Sequence, residues 1–128
     1  MDKQPTTSEL EILNILWEKE NATVREVFEV ISSNKSVTYT TILKLMQIMT
    51  EKGLVKREEE GKAHLYRAAI EQNETQKSFV NDLLERVFRG SAKELMQHLL
   101  DTKKASPEEM KEIRQMIEKA EKETKEEQ

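Results

Sequence analysis

Thr38-Tyr39-Thr40-Thr41-Ile42-Leu43-Lys44-Leu45-Met46-Gln47-Ile48-Met49-Thr50-Glu51-Lys52-Gly53, followed by Leu54-Val55-Lys56-Arg57, is the stretch on which the fold turns. Thr38 is a residue type that caps helix N-termini through its hydroxyl, and Gly53 suits the left-handed position just past a helix end. One helix is therefore predicted from Thr38 to just before Gly53. At about 100° per residue, Ile42, Leu45, Met46 and Met49 gather on one side and Thr40, Leu43, Lys44 and Gln47 on the other. The first set is made for a core; the second faces outward.

Beyond Gly53 the period changes. Leu54-Val55-Lys56-Arg57 and Ala63-His64-Leu65-Tyr66-Arg67 flank Glu60-Gly61-Lys62, two short β-capable runs around a glycine turn, which predicts a hairpin. Upstream, Thr6 stands three residues before Glu9 and Thr23 three before Glu26, the spacing of capping boxes. Leu10, Leu13, Ile15, Leu16 and Trp17 follow the first, giving a helix over about residues 7–20. Val27, Val30 and Ile31 follow the second, and that helix closes in Ser32-Ser33-Asn34-Lys35. Three helices and a hairpin in this order make a winged helix-turn-helix domain.

Downstream the chain is helical again. Phe79, Val80, Leu83, Leu84, Val87 and Phe88 recur at three- and four-residue steps before Gly90. Ser91-x-x-Glu94 opens a helix carrying Leu95, Met96, Leu99 and Leu100, and Ser106-Pro107-Glu108-Glu109 opens one carrying Met110, Ile113, Met116 and Ile117. The charged run Lys119–Gln128 is expected to fray. The division is set near Ile70–Asn73: residues 1–70 as the winged-helix domain and 71–128 as a helical dimerisation region. Three short helices with one apolar stripe each do not close a core easily, and a second copy of the chain is the economical partner. The fold class is thus mainly α with a small β-hairpin, a winged helix followed by a helical dimerisation arm.

The 128 residues contain no cysteine, which excludes disulfides, thiolate metal sites and a cysteine nucleophile. Glu9, Glu11, Glu18 and Glu20 interrupt the apolar positions near the start, so neither an export signal nor a membrane anchor is expected, and the location read from this is the cytoplasm. With two histidines, far apart, and no glycine-rich phosphate loop, the carboxylates read as solvated helix faces; neither catalysis nor a cofactor or metal is expected. The net charge is −4, but residues 36–68 hold six basic against four acidic side chains, a local +2 that leaves −6 for the rest. A nucleic-acid footprint is then confined to that segment.

The major groove of DNA accepts one α-helix held rigidly from behind and polar in front. Thr38, Thr40 and Thr41 suit phosphates or thymine methyls near the helix N-terminus, Lys44 a phosphate or a guanine edge, Gln47 an adenine, and Tyr39 the sugar-phosphate backbone. In the hairpin Lys62, with His64 or Arg57, suits phosphates, although Glu58, Glu59 and Glu60 count against an extensive contact there. The same residues also read as a capped helix with a wet face, and the two histidines as surface residues. What favours double-stranded DNA is the conjunction of capped helix, glycine stop and hairpin.

Glu9-Leu10-Glu11-Ile12-Leu13-Asn14-Ile15-Leu16-Trp17, Val37-Thr38-Tyr39-Thr40-Thr41-Ile42, Lys52-Gly53-Leu54-Val55, Glu60-Gly61-Lys62-Ala63-His64-Leu65-Tyr66, Phe88-Arg89-Gly90-Ser91 and Ser106-Pro107-Glu108-Glu109 together resemble the penicillinase and methicillin-resistance repressor family over nearly the whole chain. The resemblance implies a homodimeric repressor on a palindromic operator, with the C-terminal helices interlocked. It also implies relief by a membrane sensor protease that cuts the C-terminal region, at a position falling on His98-Leu99 here. His98 departs from the family's asparagine, and Leu43 stands where relatives often carry a basic residue, which suggests a different operator. The cysteines of the copper-responsive branch are missing. Two other readings stay open: a winged-helix regulator that answers to a small ligand, and a winged-helix protein–protein adaptor that does not bind DNA.

Overall fold

The computed structural model describes residues 4–102 and 104–127. In chain order these form α1 (Thr7–Lys19), α2 (Val24–Ser32), α3 (Tyr39–Glu51), β1 (Val55–Glu60), β2 (Ala63–Ala68), α4 (Gln72–Phe88), α5 (Ala92–Thr102) and α6 (Pro107–Glu127). The chain separates into two compact units, one ending at Asn81 and one beginning at Asp82.

Local chemistry accounts for the helix boundaries of the first unit. Both capping boxes close: the Thr6 hydroxyl accepts from Glu9 N at 3.2 Å while Glu9 Oε1 accepts from Thr6 N at 2.8 Å, and Thr23 and Glu26 repeat the exchange at 3.1 and 2.9 Å. Thr38 caps α3 by accepting from Thr41 N at 3.2 Å. That helix stops where Gly53 takes φ +80°, a conformation that costs a side-chain-bearing residue strain.

Behind α3 lies the core. Ile12, Leu13 and Leu16 of α1, Val27 of α2, and Ile42, Met46 and Met49 of α3 are at most 1% exposed, with Leu54 and Tyr66 closing the side toward the hairpin. Each such side chain contributes about 1.5–3 kcal/mol of transfer free energy. Leu45, assigned to the core stripe, is half-buried against it, and so is Leu43 from the outward set.

The hairpin pairs Val55 with Ala68 through Glu60 with Ala63, turning on Gly61-Lys62 with Gly61 at φ +65°. Its first strand is longer than the apolar pattern indicates and includes Glu58, Glu59 and Glu60. Those carboxylates are exposed, so strand pairing rather than burial orders them. Ala22 adds a third line of pairing, donating to Tyr66 O at 3.0 Å and accepting from Tyr66 N at 2.9 Å. Trp17 Nε1 donates to Ile70 O at 3.1 Å, fastening the exit of β2 onto α1.

In the second unit Gly90 ends α4 at φ +82°, its N–H reaching Leu84 O at 2.9 Å, and Ser91 and Ser106 cap the next two helices by accepting from Glu94 N and Glu109 N at 3.2 and 3.0 Å. The Phe88 and His98 rings pack 5.4 Å apart. The tail expected to fray is helical through Glu127, while Gln128 lies outside the described residues. Glu118 precedes Lys122, and Glu121 precedes Lys125, by four positions, the orientation that supports a solvated helix.

Candidate nucleic-acid interface

α3 stands on the core with its outward face open. Thr38, Tyr39, Thr40, Thr41, Lys44 and Gln47 are exposed, and Leu43 is half-buried. Between α3 and the hairpin runs a groove of about 430 Å³ to which Tyr39, Leu43 and Gln47 contribute from the helix, and Arg57, Lys62 and His64 from the hairpin. Pairing register explains the hairpin's share: Arg57 sits opposite Tyr66 and Glu59 opposite His64, so alternate residues of both strands share one face. The structure thus brings together six of the residues singled out from the sequence. Thr40 and Lys44 lie on the same helix outside the groove's lining. Thr38 and Thr41 share a hydroxyl hydrogen bond of 2.9 Å at the cap, so their first role is to start the helix.

Electrostatics separate this groove from the rest of the molecule. Among the described residues no carboxylate is in its lining, in a chain whose net charge is −4, although Glu59, opposite His64, shares that face of the hairpin. Glu58 is engaged on the other face of the hairpin with Arg67 at 3.1 Å, both ends exposed. That surface pair adds little stability.

Two features here were not drawn from the sequence. Arg25, in the first turn of α2, lines the groove with its guanidinium 4.8 Å from the centre of the Tyr39 ring. Its only sequence signal is a cation near a helix N-terminus, where the dipole disfavours it. The other is Lys52, whose Nζ lies 2.9 and 3.0 Å from the carboxylate oxygens of Glu9, a side chain only 2% exposed. Burial alone would raise the Glu9 pKa. The hydrogen bonds from Lys52 and the Thr6 backbone, with the charge of Lys52, outweigh burial and hold the carboxyl below its ordinary value of 4.5. This pair ties the end of α3 to the start of α1, and so fixes how α3 is presented.

The apolar residues assigned to dimerisation are mostly open. Val80, Leu83, Val87, Met96, Leu99, Leu100, Met116 and Ile117 are exposed, and Phe79, Leu84, Phe88, Leu95, Met110 and Ile113 half-buried. Within the second unit Met96, Leu99, Leu100, Ile113, Met116 and Ile117 line an apolar cleft of about 430 Å³, with Glu109 as its only ionisable lining residue among those described. His98-Leu99 lies in the middle of α5. Among the described residues no group of three or more histidines or carboxylates is placed to hold a metal ion, and no helix is long and apolar enough to cross a membrane.

The sequence profile of the penicillinase repressor family matches residues 5–119. Over 114 residues the chain is 24% identical to the methicillin resistance regulatory protein MecI of Staphylococcus aureus, spanning 89% of this chain and 93% of that one. It is 23% identical over 115 residues to the penicillinase repressor of Bacillus licheniformis, spanning 90% of each. Among solved structures, the DNA-binding domain of the repressor BlaI superposes with a TM-score of 0.50 at 23% identity, covering 55% of this chain and 85% of that domain. A protein described as a possible transcriptional regulator for arsenical resistance superposes with a TM-score of 0.51 at 16% identity, covering 81% and 99%. The two structural likenesses are likenesses of fold, while the profile spans nearly the whole chain, and this chain belongs to the penicillinase repressor family.

Proposed function

We propose that this protein is a transcriptional repressor that binds double-stranded DNA as a homodimer on a palindromic operator in the cytoplasm, and that no reaction is its own. The observation that carries the reading is the groove beside α3, lined among the described residues by basic and aromatic side chains and by no carboxylate, in an otherwise acidic chain. In this reading α3 enters the major groove, Thr40, Lys44 and Gln47 meet base edges, Leu43 meets a thymine methyl, and Tyr39, Lys62 and His64 lie along the backbone. Thr38 and Thr41 support them at the helix start, where backbone N–H groups and the dipole favour a phosphate.

The second unit supplies the dimer. Its open cleft and exposed leucine, methionine and isoleucine side chains belong against a second copy, and two domains on one duplex double the phosphate contacts. Relief by a sensor protease would act on the bond between His98 and Leu99. That bond must first leave helix α5 to reach the extended form in which a protease holds its substrate.

The test is a mobility shift of the full chain on duplex from its own promoter region, at stated salt and with competitor DNA, because phosphate contacts make affinity fall steeply with salt. A sequence-specific shift at a palindrome, in the stoichiometry of two chains per site, is the expected result. Indifference to all duplexes would overturn the reading in favour of a protein–protein adaptor.

A further inference from the structure

Arg25 sits at the second position of α2, where the helix dipole disfavours a cation, and Glu29 stands four residues on, at the spacing of a helical ion pair. Yet no ion pair joins them. The guanidinium lies over two rings instead, 4.8 Å from the centre of Tyr39 and 5.8 Å from that of Phe28. The rings brace each other edge to face, 5.8 Å apart at 77°. A cation–π contact of this kind uses none of the conventional hydrogen bonds along the guanidinium's N–H edge. Among the described residues that edge has no hydrogen-bond acceptor. A planar fork of donors, held by a ring and lacking an acceptor, matches the bidentate geometry of a phosphate.

Position supports the same conclusion. Arg25 lines the same groove as Tyr39, Leu43 and Gln47 of α3 and Arg57, Lys62 and His64 of the hairpin. A duplex seated on α3 brings its backbone to the residues that line this groove.

On the reading of this chain as a DNA-binding protein, we infer that Arg25 is a preassembled phosphate clamp, held on Tyr39 and Phe28 before DNA arrives and closing on the backbone that borders α3. Tyr39 then acts twice: beside the backbone itself, and as the platform that holds Arg25 away from Glu29. The clamp contributes affinity and register and carries no base preference.

The experiment measures operator and scrambled duplex binding by the full-length protein across a salt series, for wild type, Arg25→Gln and Arg25→Lys, with thermal unfolding as the control for fold. Each phosphate contact removed lowers the slope of log K against log salt by about 1, so the two Arg25 side chains of a homodimer account for about 2, equally on both duplexes. That loss is expected for Arg25→Gln, with Arg25→Lys, which keeps the charge, close to wild type in slope. An unchanged slope in Arg25→Gln, or an Arg25→Lys protein that matches wild type in affinity as well as in slope, overturns the clamp while wild-type operator binding leaves the repressor reading intact. Wild-type protein that binds no duplex overturns both.

Discussion

Up to Asn81 the chain encloses Ile12, Leu13, Leu16, Met46 and Met49 at 1% exposure or less, whereas from Asp82 onward no described side chain is buried and Val87 and Met116 stand 63% and 66% exposed. Both regions are built from amphipathic helices with capped starts. The difference lies in what their stripes face. In the first unit three helices and a hairpin converge on one volume, so each stripe is covered by another element of the same chain. In the second the stripes of α5 and α6 line an open cleft, and the energy that burial would supply is still available. A unit with its own core is free to use its outer face for recognition, and a unit without one is suited to holding two copies together.

The largest effect should come from removing that second unit. A chain ending at Asn81 keeps the Trp17–Ile70 and Ser78–Gln4 hydrogen bonds, so circular dichroism should report a cooperative melt, while operator affinity falls by about 10²–10⁴ as the two-site advantage is lost. Undiminished binding by that fragment would contradict the division of labour. Next, Met46→Ala should cost about 2–5 kcal/mol in urea unfolding. The matched change Met116→Ala should fall within about 0.5 kcal/mol for a monomer at low concentration, yet weaken self-association in sedimentation. Equal costs at the two sites would break the comparison.

Within the first unit, Lys44→Ala should lower operator affinity by about 1–3 kcal/mol if the ammonium meets a base edge, with a smaller loss on scrambled duplex. An equal loss on both duplexes assigns Lys44 to a phosphate. The smallest effect concerns Glu9 and Lys52. Because the folded-state pKa of Glu9 is held below 4.5, its ionised form contributes stability that is complete above that value and is lost as pH falls through the lowered one. Lys52 is 36% exposed, so Lys52→Met should cost about 1 kcal/mol near neutrality after allowance for solvent screening. The penalty should vanish as the melting temperature is followed into acid. A penalty that persists in acid would show that Lys52 acts through packing.

How much was legible follows the range of the interactions. Each cap read from the sequence joins residues three positions apart, and the glycine stops at Gly53 and Gly90 need only the backbone freedom of one residue. The hairpin was found because its turn is local, but its extent was underestimated: Glu58, Glu59 and Glu60 carry no apolar alternation, and only pairing with Ala63, His64 and Leu65 makes them strand. The α6 tail was misjudged in the same way, composition suggesting fraying where i to i+4 spacing sustains helix.

The sequence by itself determined where each of the first three helices starts, which face of α3 is apolar, the presence of a hairpin after Gly53 and the family, because caps, periodicity and short motifs are written in neighbouring residues. Tertiary structure alone decided what lies 40 or more positions apart: Glu9 under Lys52, Ala22 paired with Tyr66, Trp17 on Ile70. It also decided that Arg25 lies on Tyr39 rather than against Glu29. A long cation can reach several partners, and which it takes is set by where the fold places an aromatic face, a fact no local pattern contains.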